Sequence, residues 1–536
     1  MRVRSVLILV ACCVYFFAAG LLLIPYCGFQ HDEVVFAQPL YEHGLSFYSR
    51  HVGSGWIPMM INSYAGAFKT WIYWPILAVW HPSAYSIRVP AMAIAALAMV
   101  LFWPIMVRAG GRRAATITTI LLATDTTYLM TSAFDWGPCA LQHFFLVAVM
   151  LAFIRFHETA DVRVLALASF LVGLALWEKA LFFWLGGGLV VGCAAVYPKQ
   201  AWRHVSVKNL GIAAASFVIG AMPFIMYNVH KPNSTLEENA TISTDEFANK
   251  VEAAHRTINA HSMYMYLVYD DWYKQPREPR TDMERASMEL RNATGVSQTN
   301  EMMWAYGLAI LLAPFTWRTR AWRPLLFSLV FCAVGWGLML LTKNAGASVH
   351  HVILLWPVPL MFLGLAYSEA SRRVPAKVSV PVLAVVVGYF AAENVLATNQ
   401  YLAQLIRNGP CTYWTNALYP MSADLMQAHS GEVVGIDWGT TVPLEVLEQA
   451  EVPMSFVGVD EAAPDAVLGK MGKPAYVFLS HVKELEIFPG IDEKIDGIAA
   501  KHGFSKQVIK TYADDNGRPT FELFQYKAAG TDASGQ

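Results

Sequence analysis

Long apolar runs alternate with short polar segments over roughly the first 400 residues of the chain. A membrane-spanning helix needs about 20 mostly apolar residues, since it must cross about 30 Å of hydrocarbon. About eleven runs meet that requirement, and the region 163–197 can also be divided differently. They lie at 5–25, 87–107, 113–132, 137–156, 163–179, 181–197, 209–228, 302–317, 323–341, 349–367 and 378–397. The pattern predicts a polytopic α-helical membrane protein.

The charges between the runs predict an orientation. If the N-terminus, with Arg2 and Arg4, is cytoplasmic, every loop on that side is basic. Those loops hold Arg108/Arg112/Arg113, Arg155/Arg163, Lys199/Arg203/Lys208, Arg318/Arg320/Arg323 and Arg372/Arg373/Lys377. Because lysine and arginine favour cytoplasmic loops, we expect an odd number of spans with the C-terminus outside. We expect the first run to be an uncleaved anchor.

Three outer segments are too long to be turns. Within a membrane domain at 1–399 we predict a first periplasmic loop at 26–86 and a large one at 229–300. The aromatic stretch from Trp56 to Trp80 favours helices lying along the membrane interface, because tryptophan and tyrosine prefer the headgroup zone. In the large loop we expect short helices at 245–260 and 282–293.

The third outer segment is the tail, which we interpret as a periplasmic α/β domain at 400–527. Short apolar runs predict strands at 432–436, 475–479 and 521–526. Helices are expected at 443–449 and 492–502, the second ending at Gly503. The last residues, 528–536, are expected to be disordered.

Composition supports a membrane protein. The 536 residues are 55% hydrophobic and 15% charged, and their formal net charge is −1. The near-neutral charge gives no indication of a nucleic-acid partner, and membrane lipids are the expected surroundings. The sequence contains no Gly-rich phosphate loop, which argues against a nucleotide-binding domain.

Three acids fall at the predicted outer surface. Asp32 and Glu33 follow the first span directly, and Asp135 lies in the second outer loop. A carboxylate there is half-screened from water yet reachable, which suits a general base. The alternatives are an ordinary polar loop start for the pair and a helix N-cap for Asp135. Carboxylates meeting at one surface could also share a divalent cation; otherwise the residues indicate no cofactor.

Cations gather at the same predicted surface and suit a lipid phosphate. They are Lys69, Lys179, Lys343, His350 and His351. For Lys179 the alternative is a side chain that snorkels to the interface beside Glu178. For His350 and His351 the alternative is that they lie at the membrane interface and have no role in catalysis. Adjacent histidines on a helix point about 100° apart, so they do not form a metal site alone.

The order of these features resembles a known superfamily. The segments that carry the likeness are His31-Asp32-Glu33, Ser63-Tyr64-Ala65-Gly66-Ala67-Phe68-Lys69, Arg88-Val89-Pro90, Phe134-Asp135-Trp136 and His350-His351-Val352-Ile353-Leu354-Leu355-Trp356-Pro357. With the topology, they resemble the GT-C glycosyltransferases. The closest branch is bacterial protein-mannosyltransferase-like and lipid A aminoarabinose transferase-like. The likeness covers about residues 1–400.

The resemblance implies transfer of a sugar from a polyprenyl phosphate to a glycan, lipid or protein acceptor on the extracytoplasmic side of the bacterial inner membrane. By it, Asp32 acts as base or orients the acceptor, and Asp135 matches the second-loop acid. Lys179, Lys343, His350 and His351 fall where phosphate contacts are expected. The chain has no Trp-Trp-Asp-Tyr-Gly motif and no β-trefoil repeat, so the acceptor stays open.

Two other classes of function compete with a transferase. A transporter or lipid-linked sugar flippase usually keeps charges at mid-membrane, within duplicated halves. Here the charges cluster at the outer ends of spans and no duplication is visible. A binding module on an inert anchor would not need about eleven spans, so we favour the transferase.

Overall fold

The structure is a computed structural model. It describes residues 2–42, 46–53, 55–232, 234–239, 241–264, 266–269, 276–343, 345–428, 431–457 and 467–528. The predicted disordered tail lies almost entirely outside these residues.

A helical bundle forms the N-terminal three quarters of the chain. Its helices are α1 (Arg2–Leu23), α4 (Ala84–Thr124), α5 (Thr126–Ala133), α6 (Cys139–Thr159), α7 (Val162–Glu178), α8 (Phe182–Val196), α9 (Pro198–Trp202), α10 (Val207–Gly220), α11 (Met222–His230), α15 (Met302–Leu312), α16 (Trp322–Leu341), α17 (Val349–Val352), α18 (Val358–Ser371) and α19 (Ala376–Asn408). Each predicted run falls on helical structure. Five helices of the described chain are long and apolar enough to span a membrane, or seven if each bent pair is one span. The count of about eleven therefore stays a prediction.

Gly111 breaks α4 with a φ of 80°, a left-handed conformation that glycine adopts without strain. The guanidinium of Arg372 donates to the carbonyl of Gly110 (2.7 Å), and Arg108 pairs with Glu158 (2.8 Å). The predicted cytoplasmic loops thus meet at one end of the bundle. Their orientation relative to a membrane stays a prediction.

The first outer loop contains less helix than we expected. Its described residues include the helices α2 (His31–Val34) and α3 (Phe68–Leu77) and a 3-10 turn at Gln38–Leu40, and the strands β1 (Tyr48–Val52) and β2 (Gly55–Met60) pair antiparallel. The prediction of interfacial helices over Trp56–Trp80 is therefore wrong for its first part. Residues 56–60 form a strand because their backbone hydrogen-bonds to the preceding segment, a pairing that composition does not reveal.

The large outer loop holds α12 (Ser234–Asn239), α13 (Phe247–Ile258) and α14 (Asp282–Thr294), close to the expected helices. Glu284 of α14 accepts hydrogen bonds from Tyr26 (3.0 Å) and pairs with Arg277 (2.9 Å). Burial alone would raise the pKa of Glu284, but these bonds and the Arg280 amide lower it to about 2. The hydrogen bond from Tyr26 ties this loop to the segment that follows the first helix.

The C-terminal domain is a five-stranded mixed sheet with helices. Its elements are α20 (Leu418–Ala428), β3 (Glu432–Gly435), α21 (Thr441–Leu447), β4 (Met454–Phe456), β5 (Tyr476–His481), α22 (Ile491–Lys501), β6 (Phe504–Ala513) and β7 (Pro519–Ala528). The strand order is β4-β3-β5-β7-β6, with β3 parallel to both neighbours and β7 antiparallel to both. The three expected strands and two expected helices are present. Helix α19 continues to Asn408, past the expected boundary at 399, and the division into two domains stays a prediction.

Candidate active site

Arg88, on α4, fixes the first loop at the end of the bundle that we predict to lie outside. Its Nε and Nη2 donate to the two carboxylate oxygens of Glu33 at 2.6 and 2.9 Å. The remaining donors reach the carbonyls of Ile24 (3.1 Å), Cys27 (3.0 Å) and Gly28 (2.6 Å). Both charged side chains are fully buried. A buried pair of this kind is stable only because every donor and acceptor is used.

We predicted that Asp32 and Glu33 would both be accessible acids. Glu33 is instead buried in an ion pair with Arg88, so it has a structural role. The reason is helical geometry, since adjacent residues of α2 point about 100° apart. Asp32 is half-buried and turns toward the second outer loop. Its Oδ2 accepts from Trp136 Nε1 (3.3 Å) and lies 3.5 Å from Gln30 Nε2.

Lys69 joins the two acidic loops. Its Nζ lies 2.6 Å from Asp135 Oδ2 and donates to the Glu33 carbonyl at 3.0 Å, with both side chains almost fully buried. Asp135 precedes Trp136, the residue that contacts Asp32, so the acids of the two loops meet in one region. Lys69 is already paired in this arrangement, which differs from the predicted open phosphate ligand.

Lys179 and His350 complete this region. Lys179 is buried, and its Nζ donates to the carbonyl of Gly137 at 2.8 Å. The His350 ring lies 4.9 Å from Trp136, and its Nδ1 is 2.8 Å from Ser348 Oγ. Gly137 permits this approach, because a Cβ there would lie 3.2 Å from Lys179 Nζ and 3.3 Å from the His350 ring. We call Asp32, Lys69, Asp135, Lys179 and His350 the acid–cation cluster.

Two predicted phosphate ligands are not part of the cluster as defined. The His351 ring borders it, with its centroid 4.3 Å from that of His350, and its Nδ1 accepts from the Gly346 amide (3.3 Å). Lys343 is exposed, and no side-chain contact with the cluster is present in the described part of the chain. Its backbone N–H donates to the Thr241 carbonyl (2.8 Å), so the large outer loop fixes its segment away from the cluster.

Glu178 does not pair with Lys179 as suggested. Its Oε2 instead accepts from the backbone N–H of Lys69 at 3.0 Å, which attaches the start of α3 to the end of α7. Asp135 is not the N-cap of α6, which begins after Pro138. Both residues therefore help to fix the two loops around Lys69.

For a divalent cation, the described residues contain no group of three or more histidine, cysteine, aspartate or glutamate side chains that could hold one. Asp32 and Asp135 already face N–H donors, Trp136 and Lys69 respectively. These donors suit a carboxylate or a phosphate oxygen and do not ligate a metal.

Sequence reasoning did not give a role to Arg88, Trp136 or Asp125. Asp125 is buried between α4 and α5, where it caps α5 through the Tyr128 amide (2.8 Å) and accepts from Trp356 (3.0 Å). An aspartate followed by two threonines within an apolar run is a recognisable N-cap signal. The roles of Arg88 and Trp136 depend on partners far along the chain, which one sequence does not reveal.

Comparison with known proteins agrees with the fold. Residues 67–227 match the family model described as dolichyl-phosphate-mannose-protein mannosyltransferase. The structure resembles ArnT from Cupriavidus metallidurans bound to undecaprenyl phosphate, with a TM-score of 0.59, 12% identity and 99% of each chain covered. It also resembles the archaeal oligosaccharyltransferase AglB from Archaeoglobus fulgidus in complex with an inhibitory peptide and a dolichol-phosphate. That match has a TM-score of 0.52 and 11% identity, covering 99% of this chain and 75% of that one.

No curated protein matches the sequence. At such low identities the structural likeness shows the fold alone. The chain thus has the fold of a polytopic membrane glycosyltransferase. The resemblance to the GT-C superfamily is confirmed by the family model and by this fold.

Proposed function

We propose that the protein transfers a sugar from a polyprenyl phosphate to an acceptor on the extracytoplasmic side of a membrane. The observation that carries this proposal is the acid–cation cluster, which places a half-buried carboxylate beside buried lysines. The matched family model and the fold shared with ArnT, a protein described with undecaprenyl phosphate bound, support the donor class.

In the proposed reaction, an acceptor oxygen attacks the anomeric carbon of the donor sugar. The bond from that carbon to the phosphate oxygen breaks, and polyprenyl phosphate leaves with the electron pair. Asp32 accepts the proton of the attacking hydroxyl, because it is the acid of the cluster with an accessible side chain. Trp136 Nε1 holds the carboxylate in place at 3.3 Å.

Lys179 and His350 are assigned to the departing phosphate. Lys179 makes one hydrogen bond to the Gly137 carbonyl, and an ammonium has three donors, so it can also serve a phosphate oxygen. Such a contact in a buried region stabilises developing negative charge more than in water. Lys69 is assigned to holding Asp135 and the first loop, since its Nζ is already paired with both.

Binding of undecaprenyl phosphate to the full chain in nanodiscs tests this assignment. We expect Lys179→Met to weaken binding at least tenfold, because a buried charge is lost from the phosphate site. Lys343→Met is the matched control, since that lysine is exposed and outside the cluster. Equal affinity for wild type and Lys179→Met would contradict the proposed phosphate site.

A further inference from the structure

Two aromatic side chains of the C-terminal domain lie beside α2. The ring centroid of Trp438 is 4.8 Å from that of His31, the residue before Asp32. Tyr413 stands edge-on to Trp438 at 6.1 Å. His31 and Trp438 are half-buried and Tyr413 is 38% exposed, so ring surface stays accessible. We call His31, Tyr413 and Trp438 the aromatic shelf.

A buried carboxylate fixes Trp438 in this position. Asp437 is fully buried, and its oxygens accept from the Trp438 amide (2.8 Å), the Ile487 amide (2.8 Å) and the Phe488 amide (3.1 Å). His481 Nδ1 lies 2.6 Å from Oδ2. Burial alone would raise the pKa of Asp437, but these bonds hold it below its usual range. Burying a carboxylate is costly unless it is fully hydrogen-bonded. The bonds to Asp437 therefore fix the backbone of the segment that carries Trp438.

The shelf and the acid–cation cluster share α2. Asp32 faces Trp136 on the side of the cluster, and His31 faces Trp438 on the side of the C-terminal domain. The cluster supplies charges for a phosphate, whereas the shelf supplies aromatic faces. Thr412 and Thr415 line the same crevice but are buried, and their hydroxyls already bond to the Tyr269 hydroxyl and the Ala417 amide respectively. The two surfaces therefore suit different parts of a reaction complex.

We propose that the aromatic shelf binds a sugar ring of the acceptor and presents its hydroxyl to Asp32. The inference rests on the proposed function and specifies the acceptor as a glycan or glycolipid. The C–H face of a sugar ring is apolar and packs on the electron-rich face of tryptophan, while its hydroxyls need polar partners at the edges. The shelf provides the aromatic face, and the half-buried His31 imidazole and Asp32 carboxylate provide the polar groups.

Saturation-transfer NMR on the full chain in nanodiscs tests the inference. The probes are the methyl glycosides of glucose, mannose, galactose and N-acetylglucosamine, with a serine- and threonine-containing hexapeptide alongside. We expect at least one glycoside to receive saturation from the wild type. Trp438→Ala should reduce that signal at least fivefold, while Trp438→Phe should keep at least half of it. Trp202→Ala is the control, because Trp202 is 72% exposed and lies on α9.

Undecaprenyl phosphate binding is measured on the same samples. Normal binding by Trp438→Ala would show that the variant is folded and that its effect is confined to the shelf. Absence of a glycoside signal in the wild type, an undiminished signal in Trp438→Ala, or a signal from the hexapeptide alone would overturn the inference. Failure of the wild type to bind undecaprenyl phosphate would instead contradict the proposed function, whatever the shelf binds.

Discussion

Replacing Arg88 with methionine should release the first loop. The substitution leaves the Glu33 carboxylate buried without its counter-charge and removes the donors to the carbonyls of Ile24, Cys27 and Gly28. Removing one partner of a buried ion pair costs about 3–5 kcal/mol. Arg108 provides the contrast, because its pair with Glu158 is about one-third exposed. Arg108→Met should cost about 0–1 kcal/mol.

The thiol of Cys27 reports this loss directly, since it is fully buried and its own carbonyl accepts from Arg88. Maleimide labelling at Cys27, mapped by mass spectrometry, measures how often the loop opens. A loss of about 3 kcal/mol corresponds to roughly 100-fold faster labelling, because each 1.4 kcal/mol is tenfold. Arg88→Lys should give an intermediate rate, since it keeps the charge with fewer donors. If Arg88→Met labels as slowly as Arg108→Met, Arg88 does not hold the loop.

Three further perturbations follow from single contacts. Gly28→Ala should reduce the free energy of unfolding by about 1–3 kcal/mol, because its Cβ would lie 1.8 Å from the Thr415 carbonyl oxygen; an unchanged melting temperature would contradict this packing. Glu284 should contribute stability that is full above its ordinary pKa of 4.5 and is lost as the pH falls toward about 2. Melts of Glu284→Gln should lack that acid dependence. Lys69→Met should destabilise by about 3–5 kcal/mol, and Asp135→Asn in the same chain should recover part of the loss, as a double-mutant cycle would measure.

The helical bundle was predictable because hydrophobic runs of membrane length are local features. The basic residues around Gly111, such as Arg108 and Arg372, likewise indicated which loops lie at one end. The strand over 56–60 was missed, since its pairing with 48–52 depends on contacts between segments. Local pattern thus gives the elements, and tertiary contacts decide the outer loops.

For the candidate site, the sequence indicated the residue types and not their partners. Asp32, Asp135 and Lys179 lie together, as the shared outer face suggested. Glu33 was predicted to be a catalytic acid, but it forms a buried ion pair with Arg88 of another helix. Lys343 was grouped with the cations by topology alone, whereas its segment pairs with the large loop. Only a three-dimensional structure separates residues that share a surface from residues that share a pocket.

The most direct test of the central claim uses a polyprenyl-phosphate donor with a labelled sugar, in membranes that contain the protein. It measures how much labelled sugar is lost from the donor by transfer. Asp32→Asn keeps the size of the side chain but cannot accept the proton of an attacking hydroxyl. We expect this variant to bind undecaprenyl phosphate like the wild type and to lose at least 99% of transfer. Wild-type turnover by Asp32→Asn would contradict the assignment of Asp32 as the base.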